Sequence, residues 1–235
     1  MSAPNYWEDA SATPRAPSDV ADVIFHIRCR GLPSDHAHAL RAALYAALPW
    51  LDGANDAALI PVLGAASGNG WQRPAGEDSF IHLSRRAFFG LRVPRALAER
   101  ARQLTGKRLE VCGETVSVTH SKVRPLSHHA TLSARHLALP NVDDEAAFLS
   151  AAAAQLRALG VSAHKIMGGR RASVLTGQGR VPVRNLMVAE LAPAESMRLQ
   201  ENGMGELTAW GCGVFLPHKN IAPVGQEQDS PDGHP

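Results

Sequence analysis

The sequence has only three cysteines, little aromatic content and no long apolar segment. Cys29, Cys112 and Cys212 are far apart and never form a CxxC pair, which argues against a disulfide framework or a zinc ribbon and fits a reducing cytosol. No run of about eighteen uncharged apolar residues occurs, so a membrane-spanning helix is excluded. Residues 1–18 lack the apolar stretch of a secretory signal. We therefore expect a cytoplasmic protein with no membrane partner.

Charges of both signs are present, but they are unevenly distributed. The 235 residues carry a net charge of +2, and 45% of them are hydrophobic, enough for one large or two compact domains. Residues 1–18 carry −1 and residues 223–235 carry −3, so the segment between them carries +6. Only four of the 24 basic residues are lysines. This arginine-rich segment favours a nucleic-acid partner, although a GC-rich genome produces the same composition.

The spacing of apolar residues predicts an α+β fold made of two tandem ferredoxin-like (RRM-like, βαββαβ) domains. Residues 20–30 alternate as a strand does, and residues 34–51 repeat apolar side chains at helical spacing from a Ser34 cap. The same order of elements returns after residue 130 and ends in a predicted strand at 211–217. The predicted divisions are a flexible leader at 1–18, domains at 19–128 and 129–222, and a flexible tail at 223–235.

Four glycines lie shortly before the end of the second predicted domain, at positions 203, 205, 211 and 213. Glycine lets backbone N–H groups approach a phosphate because no Cβ stands in the way. Gly211 and Gly213 are therefore candidate phosphate contacts. An ordinary helix end followed by a tight turn would give the same spacing. Neither a Walker A motif nor GxGxxG occurs, so nothing indicates a nucleotide cofactor.

Several segments resemble one known family. AESMRLQENGMG followed by WGCGVFLPHK resembles the end of the CRISPR-associated precursor-RNA endoribonucleases, which belong to the repeat-associated RAMP superfamily, in a compact subtype. LPSDHAHALRAALYAALPWL resembles that group's first strand–helix junction, and SRRAFFGLRVP and VRNLMVAELAPAESMRLQ also match. The resemblance spans about residues 20–219. One departure is Glu206-Leu207-Thr208, where relatives tend to carry basic residues.

The resemblance implies two ferredoxin-like domains with a C-terminal glycine-rich loop near RNA. It implies cleavage within each CRISPR repeat without metal or cofactor, by attack of a ribose 2′-OH on its own phosphate. The products would be a 2′,3′-cyclic phosphate and a 5′-OH. The implied partners are CRISPR repeat RNA, as precursor and as mature crRNA, and other subunits of a CRISPR interference complex.

Such a reaction needs a base, an acid and positive charge near the phosphate. His36 is the leading candidate base, because the positive end of a helix dipole keeps its ring neutral. His38 is the second candidate for acid or base, and Tyr45 is a weaker candidate acid. The structural alternatives are a histidine bonded to a carbonyl, a solvated histidine and a packed tyrosine. His36-x-His38 does not have the spacing of a helical zinc pair, so we predict no metal site.

Two groups of basic residues are candidate RNA contacts. Arg85, Arg86 and Arg92 flank Phe88-Phe89, and guanidinium groups beside aromatic rings suit stacking and phosphate contact. The second group surrounds Gly168-Gly169 and consists of Lys165, Arg170, Arg171, Arg180 and Arg184. A solvated, charged hairpin would have the same composition. Two other functions stay open, a non-catalytic RNA-binding subunit of this fold and a ferredoxin-like small-molecule enzyme or protein-interaction module.

Overall fold

The computed structural model describes residues 18–54, 56–62, 79–162 and 165–218. The predicted tail and all but the last residue of the predicted leader lie outside these ranges. Within them, the chain forms two larger antiparallel sheets and one short two-stranded ribbon. No helix in the described ranges is long and apolar enough to cross a membrane.

The first half of the chain builds a five-stranded sheet. Its elements are β1 (Val20–Arg28), β2 (Gly31–Pro33), α1 (Ala37–Ala47), β3 (Ala58–Ile60), β4 (Phe80–His82), β5 (Phe88–Pro94), α2 (Ala98–Ala101), β6 (Arg108–Val111) and β7 (Glu114–Pro125). The strand order is β3-β5-β1-β7-β6, and β2 pairs with β4 apart from this sheet. Strands β3, β5, β1 and β7 follow the ferredoxin-like order, and β6 extends the sheet at one edge.

The second half builds a four-stranded sheet with the same plan. Its elements are β8 (Leu132–Leu137), α3 (Glu145–Ala158), β9 (Lys165–Thr176), β10 (Gly179–Ala189), α4 (Pro193–Asn202) and β11 (Leu216–Pro217). The strand order is β11-β8-β10-β9, which is again the ferredoxin-like order. The predicted α+β fold with two tandem ferredoxin-like units is therefore confirmed.

The alternation seen in the sequence of β1 separates the two faces of the first sheet. Val23, Phe25 and Ile27 point into the core below α1, where Leu40 and Leu44 are also fully buried. Ile24 and His26, which stand between them, lie on the opposite, outer face of the sheet. Since side chains on a strand alternate between faces, period-two patterning was enough to identify this strand and its buried side.

Two predicted boundaries are wrong for identifiable reasons. The first helix begins after His36 rather than after Ser34, because β2 pairs with β4 and the Ser34 hydroxyl is bonded to the Ser79 hydroxyl. The predicted strand at 211–217 is reduced to β11. Gly211 and Gly213 have φ angles of 77° and 67°, which a regular strand does not contain.

The segment between α4 and β11, residues 203–215, packs between the two halves of the protein. Val214 contacts Ile24 and Ile60 on the outer face of the first sheet. Cys212 packs with Ala37 at the start of α1 and with Val174 of β9. The C-terminal segment therefore joins the first sheet, α1 and the second sheet into one body, and α1 meets the second half along this seam.

Candidate active site

The start of α1 is fastened to the hairpin formed by β9 and β10. The Asp35 carboxylate accepts a hydrogen bond from the Leu175 backbone N–H at 3.1 Å. It also accepts one from the Arg180 guanidinium at 2.7 Å. Both bonds join residues from opposite halves of the chain, so the first turn of α1 has a fixed position relative to the second sheet.

His36 lies at the N-cap position of α1, but its side chain is buried and only 3% exposed. Its Nδ1 is 2.8 Å from the Pro33 carbonyl oxygen. Because a carbonyl only accepts hydrogen bonds, Nδ1 carries the proton. The ring of the predicted leading base is thus enclosed by protein, and the role of His36 as the base stays a prediction.

His38, Arg41, Tyr45 and Trp210 form a half-buried group that we call the His38 cluster. The first three lie on α1, and Trp210 lies in the short 3-10 turn Thr208–Trp210 before β11. The Trp210 Nε1–H donates to His38 Nδ1 at 3.4 Å. The Arg41 guanidinium carbon is 3.9 Å from the centre of the Tyr45 ring and 4.4 Å from that of Trp210. The cluster thus combines an imidazole, a cation and two aromatic rings at the seam between the halves.

The tryptophan determines which nitrogen of His38 carries the proton. An indole N–H only donates, so His38 Nδ1 accepts and the neutral ring carries its proton on Nε2. In the described part of the chain, Arg41 forms no ion pair and its Nε has no hydrogen-bond partner. The Tyr45 and Trp210 rings hold this guanidinium, and no carboxylate of the described residues neutralises its positive charge.

Several of the predicted RNA-binding residues are exposed. Arg85 and Arg86 lie in the turn before β5, and Lys165 and Arg170 project from β9. Two others already have carboxylate partners: Arg171 pairs with Asp143, and Arg180 pairs with Asp35. Arg180 is thereby held beside Asp35, three residues before His38, and the exposed basic side chains keep positive charge on the surfaces of both halves.

Arg92 and Arg184 are buried, so the prediction that they contact RNA is wrong. Arg92 is 3% exposed, binds the Asp22 carboxylate through Nε at 2.7 Å, and donates to the carbonyls of Gln200 and Phe215. Arg184 is 6% exposed and donates to a carbonyl of the loop before α3. Arg92 donates four hydrogen bonds inside the protein, and Arg184 also pairs with Glu145, so both guanidinium groups are bonded to protein groups.

The predicted phosphate contacts by Gly211 and Gly213 are also wrong. The Gly211 N–H donates to the Thr208 carbonyl at 3.0 Å, and the Gly213 N–H donates to the His136 carbonyl at 2.6 Å. A Cβ on Gly213 would overlap the Met204 backbone. These positions require glycine because their φ angles are positive and because other protein atoms lie close to where a Cβ would be. No approaching ligand is needed to explain them.

We expect Gly213→Ala to lower the free energy of unfolding by about 3 kcal/mol, because it adds both backbone strain at φ 67° and a steric overlap. The matched control is Gly106→Ala, which has φ 84° but open space where the Cβ would lie. The control should cost only about 1 kcal/mol. Denaturant titration of both variants measures the difference, and equal losses would contradict this account of the close approach.

A groove of about 750 Å³ lies between the halves and is lined by acidic side chains. Asp19, Asp56, Glu201 and Glu206 all border it. A concentration of carboxylates repels phosphate, so this groove is unsuited to an RNA backbone. Among the residues that the structure describes, no group of three or more His, Cys, Asp or Glu side chains could hold a metal ion.

Residues 21–220 of the chain match the protein family described as Cas6 Crispr. The chain belongs to the Cas6 family. The CRISPR-associated endonuclease Cas6 of Myxococcus xanthus strain DK1622 is 32% identical over 203 residues, which cover 86% of this chain and 84% of that protein. The resemblance read from the sequence motifs is thereby confirmed at the level of the family.

Solved structures of low sequence identity share the fold of this Cas6-family chain. A CRISPR associated protein Cas6 has a TM-score of 0.62 at 12% identity, and the match covers 85% of this chain and 100% of that one. A RAMP protein described as binding different RNA substrates has a TM-score of 0.53 at 10% identity, with 83% and 98% covered. At these identities the likeness supports the tandem ferredoxin-like fold alone.

Neither Trp210 nor Arg41 was selected from the sequence as a candidate site residue. Trp210 reaches a histidine 172 residues earlier in this Cas6-family chain. The sequence did contain one signal for Trp210, because a large aromatic residue with an N–H donor stands in a glycine-rich segment where a smaller apolar residue would be enough for a turn. Its partner becomes apparent only when the two halves are assembled.

Proposed function

We propose that this Cas6-family protein is a metal-independent endoribonuclease that cuts CRISPR precursor RNA within its repeats and keeps the crRNA stem. The ribose 2′-OH attacks the adjacent phosphorus, and the bond to the 5′-oxygen breaks. The products are a 2′,3′-cyclic phosphate and a 5′-OH. The name of the M. xanthus relative, an endonuclease, supports the reaction class, and the RAMP neighbour described as binding RNA supports the partner.

The His38 cluster is the observation that carries this proposal. Attack of the 2′-OH builds negative charge on the phosphorane oxygens and on the departing 5′-oxygen. Arg41 offers a cation without a carboxylate partner in the described part of the chain. His38 offers Nε2–H as a hydrogen-bond donor, because its Nδ1 is engaged by Trp210. Both side chains are half-buried, so they are shielded from bulk water yet reachable from the surface.

Each member of the cluster has a proposed task. His38 donates a hydrogen bond from Nε2 to the departing 5′-oxygen, which takes its proton from water, and water also accepts the proton of the attacking 2′-OH. Arg41 stabilises the negative charge that develops on the phosphorane. Tyr45 holds the Arg41 guanidinium by ring contact, which replaces the acid role predicted for it. Trp210 fixes the His38 tautomer and is therefore a positioning residue rather than a catalytic one.

The exposed basic side chains are proposed to hold the RNA on either side of this cluster. Arg85 and Arg86 extend from the first half, and Lys165 and Arg170 extend from the second. Arginine suits this task because its planar guanidinium binds phosphate in a bidentate way. Such contacts position the RNA, and each neutralised phosphate makes binding more dependent on salt.

The mechanism is tested with a labelled repeat hairpin incubated with the protein in excess EDTA. We expect cleavage to continue in EDTA, because His38 and Arg41 supply the donor and the charge that the reaction needs. A 2′-deoxy substitution at the scissile nucleotide should abolish cleavage while leaving binding intact, since it removes the attacking group. Gel analysis of the products should show a 2′,3′-cyclic phosphate end.

Two results would contradict the proposal. Loss of cleavage in EDTA, or equal cleavage of the 2′-deoxy RNA, would exclude metal-independent attack by the 2′-OH. Tight, salt-dependent binding of the hairpin with no cleavage of either RNA would indicate a non-catalytic RNA-binding subunit of a CRISPR ribonucleoprotein. Absence of any preference for the hairpin over bulk RNA would favour a different function for this fold.

A further inference from the structure

The outer face of the first sheet carries aromatic rings that the proposed cleavage site does not use. Near Ile24 and Ile60 this face is covered by Val214 and Leu216. The next outward positions on β1, β5 and β7 are His26, Phe88 and His120, which pair across the three strands. His120 is exposed, while His26 and Phe88 are half-buried, so this part of the sheet is open to solvent.

The three rings form an ordered row. The His26 and His120 rings are stacked, with centroids 4.2 Å apart and planes 11° from parallel. The Phe88 ring lies on the other side of His26 at 6.2 Å. The Thr119 hydroxyl donates to the His26 carbonyl at 3.0 Å and is 3.2 Å from His120 Nδ1. Because that hydroxyl proton is already donated, it accepts from His120 and fixes the orientation of the outermost ring.

The charge around this row favours an anionic polymer. Lys122 lies two residues beyond His120 on the same face of β7 and is exposed. The one acidic residue of β1, Asp22, is buried and paired with Arg92 and Arg124. Burial lowers the pKa of His26, and the neighbouring His120 and Lys122 lower it further. A neutral imidazole is a flat, weakly hydrated surface suited to stacking.

We propose that His26, His120 and Phe88 form a platform on which the nucleobases of single-stranded RNA stack, with Lys122 contacting the phosphate backbone. We call this surface the His120 platform. An aromatic row beside a cation is the arrangement by which proteins bind unpaired bases with little sequence preference. The choice of RNA as ligand rests on the proposed function, but the platform lies on the sheet face and shares no residue with the His38 cluster.

The probes are two labelled ten-nucleotide RNAs with the same backbone charge, one of adenosines and one of abasic riboses. We expect the wild-type protein to bind the adenosine RNA roughly tenfold more tightly, because base–aromatic stacking adds to the shared electrostatic attraction. His120→Ala should remove most of this preference, and His120→Tyr should keep it. Fluorescence anisotropy at one fixed salt concentration measures all three proteins.

Two further variants separate stacking from charge and from folding. Lys122→Ala should weaken binding of both probes alike and reduce the salt slope by about 1. His82→Ala removes an exposed histidine of β4 that contacts Phe80 rather than the platform, and it should change neither probe. His120 is exposed, so its replacement leaves the core intact, and thermal unfolding of each variant checks this.

The outcomes distinguish the platform from the cleavage reaction. His120→Ala should cut the repeat hairpin as fast as the wild-type protein. Equal binding of the two probes by the wild-type protein, or an undiminished preference in His120→Ala, overturns the platform. If His120→Ala lost hairpin cleavage and adenosine-RNA binding to the same extent, the His120 platform would not be a site separate from the cleavage site. A preserved base preference in a protein that never cuts the hairpin would refute the proposed function alone.

Discussion

Replacing His38 with alanine is expected to slow cleavage of the repeat hairpin by about 100-fold or more. The affinity for the same RNA should change by less than about tenfold. The reason is that His38 Nε2–H faces charge that develops only as the 5′-oxygen departs, whereas the exposed arginines bind the phosphates of the intact RNA as well. Single-turnover cleavage and a separate binding titration with the 2′-deoxy RNA measure the two effects independently.

Two variants act as controls for the His38 cluster. Trp210→Phe keeps a ring against Arg41 but removes the N–H that His38 accepts, so it should slow cleavage without weakening binding. His36→Ala removes a buried ring that bonds to the Pro33 carbonyl, so its main effect should be on the melting temperature. A well-folded His36→Ala protein that is as inactive as His38→Ala would show that His36 takes part in the cleavage reaction.

Replacing Asp22 with alanine is expected to lower the free energy of unfolding by about 3–5 kcal/mol. Asp22 is 1% exposed, and both of its carboxylate oxygens bind Arg92. Without the carboxylate, the Arg92 guanidinium stays buried with two backbone carbonyls but no counter-charge. Since those carbonyls belong to Gln200 and Phe215, the loss should also loosen the contact between the halves. Chemical denaturation measures the total effect.

The pH dependence of stability provides a second measurement of the same ion pair. Burial raises the pKa of Asp22, but the charges and hydrogen bonds of Arg92 and Arg124 outweigh it and hold the pKa below its ordinary value of 3.8. A carboxyl with a lowered pKa in the folded protein stabilises the fold above its ordinary pKa. That contribution should be lost as the pH falls below 3.8 and through the lowered value, and Asp22→Asn should not show this loss.

Arg124→Ala is the matched control, because Arg124 binds the same carboxylate at 3.0 Å but its side chain is 28% exposed. Its removal should cost about 1 kcal/mol or less. If Asp22→Ala were no more destabilising than Arg124→Ala, the buried pair would not be what joins β5 to the C-terminal segment. The two variants therefore separate the buried ion pair from its solvated neighbour.

Local patterns in the sequence were enough to predict the fold. The alternation of Val23, Phe25 and Ile27 identified β1, and the repeated order of elements identified two ferredoxin-like units. The division at 128/129 falls between β7 and β8 and stays a prediction. Element ends were less predictable, since the start of α1 depends on pairing between β2 and β4, which are far apart in the sequence.

The candidate site was only partly predictable, because burial of a polar residue depends on the assembled fold. Helical spacing places His38, Arg41 and Tyr45 on one face of α1, yet it could not reveal that His36 would be enclosed. Arg92 and Arg85 look alike in sequence, but one is inside a sheet facing a carboxylate and the other is in an exposed turn. Amino-acid composition does not distinguish buried arginines from exposed ones, and only the packing of the folded protein does.

The C-terminal segment at residues 203–215 affects how the protein folds during its synthesis. During translation, Ile24 and Ile60 leave the ribosome long before Val214, which covers them in the finished protein. The first sheet therefore exists for a time with an apolar strip open to water. This apolar strip favours aggregation of the nascent chain until residues 203–215 are made and cover it. Co-expression with a chaperone should therefore raise the yield of variants in which this segment packs less tightly.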